Sequence, residues 1–364
     1  MSNTLQISPA SAITIHDVAR VAGVSIKTVS RVLRDEPYVA DATRATVHRV
    51  AQQLGYVPHP SARNLASSVS NVIALVTLAA ARGTHSQAGH EYLMGLQMGV
   101  LSVCQALDFG LMLVAIPRQT EAAIQEMQHR VKARQVGGFI IAPPACDLPC
   151  LLSTMDAAGL RYAAISPSSL ECSGPWVAAN ESDAVRRLTL HLVDAGHRRI
   201  ALLLGDPGSR GAVERLAGYR DALTERGIAY QPAWVEQAGF AFDRGREAAH
   251  RLLKRTPQPT AILAANDDCA AGVIAAAHER GMTLPDDLSV TGYDDVDLAR
   301  KVWPGLTTVR QPLEELAAVA TRQLIALMQP NRRTGDTPPM HVTLQTDLVL
   351  RGSVSAPASG LPQA

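Results

Sequence analysis

The feature that most narrows the fold is an alternation, running from residue 72 to residue 292, of short apolar runs with amphipathic segments. Residues 72–76, 111–115, 138–142 and 162–165 contain no charged or amide side chain, and Tyr162 carries their one hydroxyl. Runs of that length, too short for an ordinary buried helix, suit strands covered on both faces, as in a parallel sheet. Helix-period segments near 90–107, 119–134 and 148–158 fill the gaps. The pattern then repeats, with strands expected at 200–204, 261–265 and 288–292 and helices near 181–195, 212–226, 243–254 and 268–280. Two doubly wound α/β lobes are the architecture this predicts.

In such sheets ligands sit beyond the carboxyl ends of the strands. Asp206 and Ser209 follow the run ending at Leu204, and Arg215 opens the next helix. Asn266-Asp267-Asp268 follows Ala265, and Tyr293-Asp294-Asp295 follows Gly292. Carboxylates, amides and an arginine converging between two lobes are what a hydroxyl-rich ligand requires. Asp and Asn after a strand also cap the following helix, so either role fits any one of them.

The N-terminal part reads differently. After a tail over 1–13, a helix with Ile15, Val18, Ala19 and Ala22 on one face opens at Thr14, with Asp17 three residues on as a capping partner, and closes at Gly23. Ser25 caps a second helix that turns Val29 and Val32 or Leu33 inward and Lys27, Thr28, Ser30, Arg31 and Arg34 outward, and Pro37 stops it. A third helix runs from about Asp41 to Leu54, with Gly55 after it. Two short helices joined by Ala22-Gly23-Val24-Ser25 have the dimensions of a helix-turn-helix, whose second helix enters a DNA major groove. On that helix Lys27 and Arg31 can donate to guanine, Ile26 can meet a thymine methyl, and Ser25, Thr28 and Ser30 suit phosphates. A solvated helical hairpin would have the same spacing.

Charge placement agrees with a nucleic-acid partner at this end. The chain carries a net +1 overall, but residues 1–70 hold seven basic against four acidic side chains, a net +3, which leaves −2 for the rest.

The run from Thr14 to Leu33, TIHDVARVAGVSIKTVSRVL, resembles the headpiece of the lactose repressor and galactose repressor (LacI/GalR) family of transcription regulators. The resemblance continues through Thr43-Arg44, Leu54-Gly55-Tyr56-Val57-Pro58 and Ser61-Ala62-Arg63-Asn64-Leu65-Ala66. It implies a headpiece over 14–58, with the motif at about 15–34, that binds a palindromic double-stranded operator as a homodimer, with Ile26, Lys27 and Arg31 reading bases. It also implies a hinge over 59–70 that folds on DNA and wedges Leu65 into the minor groove. From the residues alone, this small and polar stretch is a weak helix in need of a partner or a flexible linker.

Two positions depart from the family pattern. Ala40 stands where a capping Ser is usual, which shifts the expected cap to Asp41, and His59 stands where Asn is common.

The core, 71–352, resembles the family's sugar-binding-protein-like domain, through Ala217-Gly218-Tyr219, Ala265-Asn266-Asp267, Gly292-Tyr293-Asp294-Asp295 and Leu306-Thr307-Thr308-Val309. By position, the resemblance implies that Arg215, Asn266 and Asp294 bind the hydroxyls of a small carbohydrate effector and that Phe240 stacks on it. Arg118, Ser166 and Ser209 fall at further pocket positions, Ser166 where several members have Asp. Crossings near 177, 307 and 338 would divide lobe 1 (71–177 and 307–337) from lobe 2 (178–306 and 338–352), leaving 353–364 as a tail. That tail has no leucine heptad, so a dimer is the expected assembly.

Other classes fit less well. A periplasmic solute-binding protein would share the lobes but would need an export signal, and MSNTLQISPASA has neither the basic cluster nor the apolar run of one. With no apolar stretch of membrane-spanning length, a cytoplasmic protein without a membrane partner is expected. A glycosidase using Asp267, Asp294 or Asp295 would need a nucleophile and base arrangement that the sequence does not display, so the chain reads as a non-enzyme. The five cysteines lack zinc-site spacing, and reduced thiols, no metal and no cofactor are expected. Within regulators, a purine or a phosphoprotein is the alternative to a sugar as the controlling partner.

Overall fold

The computed structural model describes residues 13–33, 38–56, 70–79, 89–169, 172–329 and 340–357. The chain divides into two compact units, 1–69 and 70–364.

The first unit is three helices, α1 (Ile15–Ala22), α2 (Ile26–Leu33) and α3 (Asp41–Leu54). Their inward faces meet in one small core of Val18, Ala19, Val29, Val32, Val47, Val50 and Ala51. At the start of α1 the Asp17 carboxylate accepts from the Thr14 N–H at 3.0 Å and its hydroxyl at 2.8 Å. Those bonds and Arg20 hold its pKa down at about 2. Gly23 takes φ +64° and returns its N–H to the Ala19 carbonyl, so α1 ends where a side chain would be strained. The expected shift of the α3 cap is not seen. Ala40 occupies the N-cap without a side-chain bond, and Asp41 lies in the first turn, where a carboxylate favours the helix dipole.

The second unit contains both expected lobes. In lobe 1, β1 (Val72–Leu78), α4 (His90–Ala106), β2 (Gly110–Ile116), α5 (Thr120–Lys132), β3 (Gly138–Ile141), α6 (Leu151–Ala157), β4 (Tyr162–Ile165) and β5 (Trp176–Ala179) follow in order. Lobe 2 is built from α7 (Glu181–Asp194), β6 (Ile200–Leu204), α8 (Arg210–Glu225), β7 (Val235–Gln237), α9 (Phe242–Leu252), β8 (Ala261–Leu263), α10 (Asp267–Glu279), β9 (Ser289–Thr291) and α11 (Leu298–Lys301). The chain then adds β10 (Thr308–Arg310), α12 (Leu313–Met328), β11 (His341–Leu344) and β12 (Asp347–Val349).

Lobe 1 is a parallel sheet in the order β2-β1-β3-β4-β5-β11. Lobe 2 is a parallel sheet in the order β7-β6-β8-β9, extended by the antiparallel pair β10-β12 through a bridge between Thr291 and Thr307. The strands β3 and β6 are buried along their whole length, which is why they read as unbroken apolar runs. Helices α4 and α12 pack so closely that a Cβ on Gly99 would collide with the Glu314 carbonyl.

Pairing corrects the expected division of the lobes. Residues 176–179 and 341–344 pair with each other in lobe 1, and 308–310 pair with 347–349 in lobe 2. The crossings therefore follow β5, follow β10 and separate β11 from β12, a few residues beyond 177, 307 and 338. The expected tail also begins too early. Ser353 is fully buried, its carbonyl accepts from Val290 N–H and its hydroxyl from Thr307 N–H, and the Ser355 carbonyl faces the buried His197 ring at 2.9 Å. No helix among the described residues is long and apolar enough to cross a membrane. All five cysteines are free, and Cys104, Cys146 and Cys269 are buried.

Candidate functional site

On the first unit, α2 sets its apolar residues and its polar ones on opposite sides. Val29 and Val32 are buried, while Lys27 and Ile26 are exposed and Thr28, Ser30 and Arg31 are half-buried. Ser25 caps the helix, its hydroxyl accepting from the Thr28 N–H at 3.1 Å and lying 2.9 Å from the Thr28 hydroxyl. At the start of the helix Ile26 is 42% exposed. Tyr38, beyond α2, is 87% exposed and was not marked by sequence reading. Leu65 and hinge residues 59–69 lie outside the described residues.

In the second unit, four strand ends meet on one guanidinium. Arg215, on α8, is buried. Its Nε donates to Glu181, just after β5, at 2.8 Å, and its Nη1 donates to the Ala265 carbonyl, just after β8. The Tyr293 ring, after β9, lies 3.6 Å from the guanidinium carbon, and the Phe240 ring, after β7, lies 5.9 Å away. Gly205 makes room for Phe240, since a Cβ there would strike the ring.

Asp294 stands beside this group at φ +105°, a left-handed conformation that non-glycine residues seldom adopt. Its Oδ1 accepts from the Gln311 amide at 2.7 Å. Burial raises its pKa to about 7 against the opposing pull of Arg215. From lobe 1, the Tyr92 hydroxyl comes within electrostatic reach of Asp294, Glu181, Cys146 and Arg215. The Cys146 thiol donates to the Ile165 carbonyl at 3.3 Å, next to Ser166. Ser166 follows β4 at φ +46°, and its buried hydroxyl has no partner among the described residues. The Tyr293 hydroxyl is likewise buried and unpartnered among them. A buried hydroxyl without a partner is costly, which singles out both side chains.

The expected residues divide. Arg215, Asp294 and Phe240 come together. Asn266 joins them through the bond from its Nδ2 to the Phe240 carbonyl at 3.2 Å, but its Oδ1 caps α10 by accepting from the Cys269 N–H at 2.9 Å. Ser209 caps α8 in the same way, accepting from the Ala212 N–H at 3.2 Å and donating to the Asp206 carbonyl at 2.8 Å. Arg118 is exposed after β2. Beside the cluster lies a cavity of about 670 Å³, reaching it at Asp294 and Gln311 and lined further by His90, Glu91, Met94 and Arg310.

The carboxylates considered for hydrolysis are otherwise engaged. Asp267 accepts from the Thr308 hydroxyl at 2.7 Å and the Val296 N–H at 3.0 Å, and burial drives its pKa well above the usual range. Asp295 accepts from Arg310 at 2.7 Å and from Arg351 at 2.5 Å. Both brace the loop that carries Asp294. Sequence reading missed Glu181, Tyr92 and Gln311. The signal for Glu181 was its place after a strand, but the run 176–179 was not read as one.

Comparison with known proteins finds a match for each unit. Residues 14–59 match the family of bacterial regulatory proteins of the lacI type, and residues 189–354 match a periplasmic binding protein-like domain. The transcriptional regulator GalR of Escherichia coli is 32% identical over 350 residues, covering 95% of this chain and 96% of its own. The regulator CelR of Thermobifida fusca is 31% identical over 344 residues, covering 93% and 98%. Among solved structures, a lac repressor dimer bound to operator and the anti-inducer ONPF superposes with a TM-score of 0.78 at 29% identity, over 95% of this chain and all of that one. A CelR–cellobiose complex gives 0.69 at 29% identity, over 94% of this chain and all of that one. With its helix-turn-helix unit and its two-lobed α/β core, the chain belongs to the LacI/GalR family of DNA-binding transcription regulators and is not an enzyme.

Proposed function

We propose that this regulator is a repressor that binds a palindromic operator as a homodimer and is controlled by a small carbohydrate held between its lobes at Arg215 and Asp294. The observation that carries the reading is the set of buried groups around Arg215, namely Glu181, Asp294 and Tyr293 with its unpartnered hydroxyl. Relatives described as bound to cellobiose or to operator support it. Lys27 and Arg31 read bases, Ile26 meets a thymine methyl, and Ser25, Thr28 and Ser30 meet phosphates. Ser25 and Thr28 have their hydroxyls engaged with each other, so their phosphate contacts use the remaining hydroxyl capacity and the helix N-terminus. Leu65 is the minor-groove wedge.

Ligand and operator each select one arrangement of the two lobes, and the response is limited by the ligand's preference between them. Thermal-shift screening of the protein across sugars and purines, followed by operator titration, tests the reading. A ligand that stabilises the protein and changes operator affinity supports it. Stabilising ligands that all leave operator affinity unchanged would refute it, and a purine in place of a sugar would replace the ligand class.

A further inference from the structure

We propose that Glu181 confines the site to uncharged polyhydroxyl ligands and shuts out sugar acids and sugar phosphates. This rests on the reading of the Arg215 cleft as the effector site and names the chemistry that cleft selects.

An arginine recognises a carboxylate or phosphate by presenting two N–H groups along one edge to the two oxygens of the anion. On Arg215 the edge that includes Nε is already given to the Glu181 carboxylate, at 2.8 Å, which leaves only the Nη1–Nη2 edge for a ligand. Both side chains are nearly inaccessible, 8% and 4% exposed, so the pair is not loosened by water. The Ala265 carbonyl takes Nη1, and the Tyr293 ring covers one face of the guanidinium. An anion at the remaining edge would share the guanidinium with the buried Glu181 carboxylate, which already balances its charge, and would be desolvated there without a cation of its own.

The surroundings make this worse for an anion. Glu181 acts electrostatically on Asp147, Asp294 and the Tyr92 and Tyr293 hydroxyls, and Asp294 acts on Asp267. Arg187, the other cation that acts on Tyr293, is paired with Asp183 at 2.9 Å. The Arg215 charge is therefore balanced by Glu181 alone, and the raised pKa values of Asp294, Asp267 and Asp147 show surroundings that disfavour further negative charge. A neutral sugar meets the opposite situation. Its hydroxyls can donate to Glu181 and Asp294 and accept from Tyr92, Ser166, Tyr293 and the remaining N–H groups of Arg215.

The test uses the full chain with three matched sets of probes. These are glucose, galactose and cellobiose; glucuronate and galacturonate; and glucose 6-phosphate and galactose 6-phosphate. Binding is read by calorimetry and by thermal shift. In the wild type a neutral sugar binds, and its acid and phosphate counterparts bind at least about tenfold more weakly. In Glu181→Gln, which keeps the acceptor oxygen and removes the charge, that gap closes by about tenfold or reverses. An acid or phosphate that binds the wild type as tightly as its neutral counterpart overturns the proposal, as does a Glu181→Gln protein, folded by circular dichroism, with unchanged discrimination. If Glu181→Gln does not fold, the wild-type comparison decides. Failure of every probe on both proteins counts against the effector reading itself and takes the proposal with it.

Discussion

The Asp294 carboxylate and the Gln311 amide are joined by a 2.7 Å hydrogen bond that ties the loop after β9 to the segment where the chain leaves lobe 2 for α12. A ligand hydroxyl arriving at Asp294 must share or displace that bond, so occupancy of the cleft reaches the lobe crossing directly. Gln311→Ala is expected to keep ligand affinity within about tenfold of wild type while shrinking the ligand-induced change in operator affinity. Fluorescence anisotropy on labelled operator, with and without ligand, measures both. An undiminished response in the variant would remove Gln311 from the coupling.

Asp294 also gives ligand binding a pH dependence. Burial raises its pKa to about 7, so the carboxyl is largely protonated below that value and charged above it. A charged carboxylate is the stronger acceptor for a ligand hydroxyl, and affinity for a neutral sugar should rise as pH goes from 6 to 8. In Asp294→Asn the profile should be flat over the same interval. Calorimetric titrations at several pH values check both curves.

His197 makes stability depend on pH in the acid direction. The ring is enclosed by Thr260 at 2.9 Å, Ser289 at 3.0 Å and the Ser355 carbonyl, and burial lowers its pKa to about 4. A bond to that carbonyl requires the proton on Nε2, leaving Nδ1 to accept from the Thr260 hydroxyl. Because the folded pKa lies below the unfolded value of 6.5, the neutral ring's contribution is whole above 6.5 and is lost as pH falls toward about 4. That loss amounts to roughly 3 kcal/mol. His197→Asn should lower stability at neutral pH and remove that part of the acid slope, as read by urea unfolding from pH 7 to pH 4.

Arg215 and Glu181 can be separated from each other by a double-mutant cycle. Arg215→Met leaves a buried carboxylate without its partner and should cost about 3 to 5 kcal/mol. Arg215→Met with Glu181→Met should recover most of that loss, while ligand binding stays absent in both. Recovery of binding in the double variant would show that the guanidinium does not touch the ligand.

On the DNA-binding unit, Arg31→Ala should relax discrimination at one base pair by roughly 1 to 3 kcal/mol and leave the core's ligand affinity unchanged. Competition binding against a library of operator variants reads this. Unchanged discrimination would take Arg31 off the reading face.

Much of this architecture was legible because it is written locally. The eight-residue helices α1 and α2, the turn at Gly23 and the inward Val29 and Val32 follow from short-range periodicity and one left-handed glycine. So do the fully buried strands β3, β4 and β6. The strands β5, β7 and β11 were not read. They span three or four residues, and β11 alternates between exposed and half-buried at a sheet edge, so pairing across the chain defines them and local pattern does not. Those same pairings set the lobe crossings. Helix α12 is a different case, since the run from Leu313 to Met328 has a readable apolar face and was passed over. At the cleft, the strand-end rule marked Arg215, Asn266 and Asp294 only among their neighbours, and the family resemblance singled them out; neither reached Glu181 without β5, and whether Asn266 caps a helix or meets a ligand depends on geometry that spacing does not encode.

The central claim is that one small molecule, bound at the Arg215 cleft, changes how tightly α2 holds DNA. The most direct measurement is operator affinity at fixed salt with and without a sugar that stabilises the wild-type protein, repeated on Asp294→Ala. The account predicts a change of about tenfold or more in the wild type and none in the variant. Equal affinities with and without ligand in the wild type, at ligand concentrations that saturate the cleft, would contradict it.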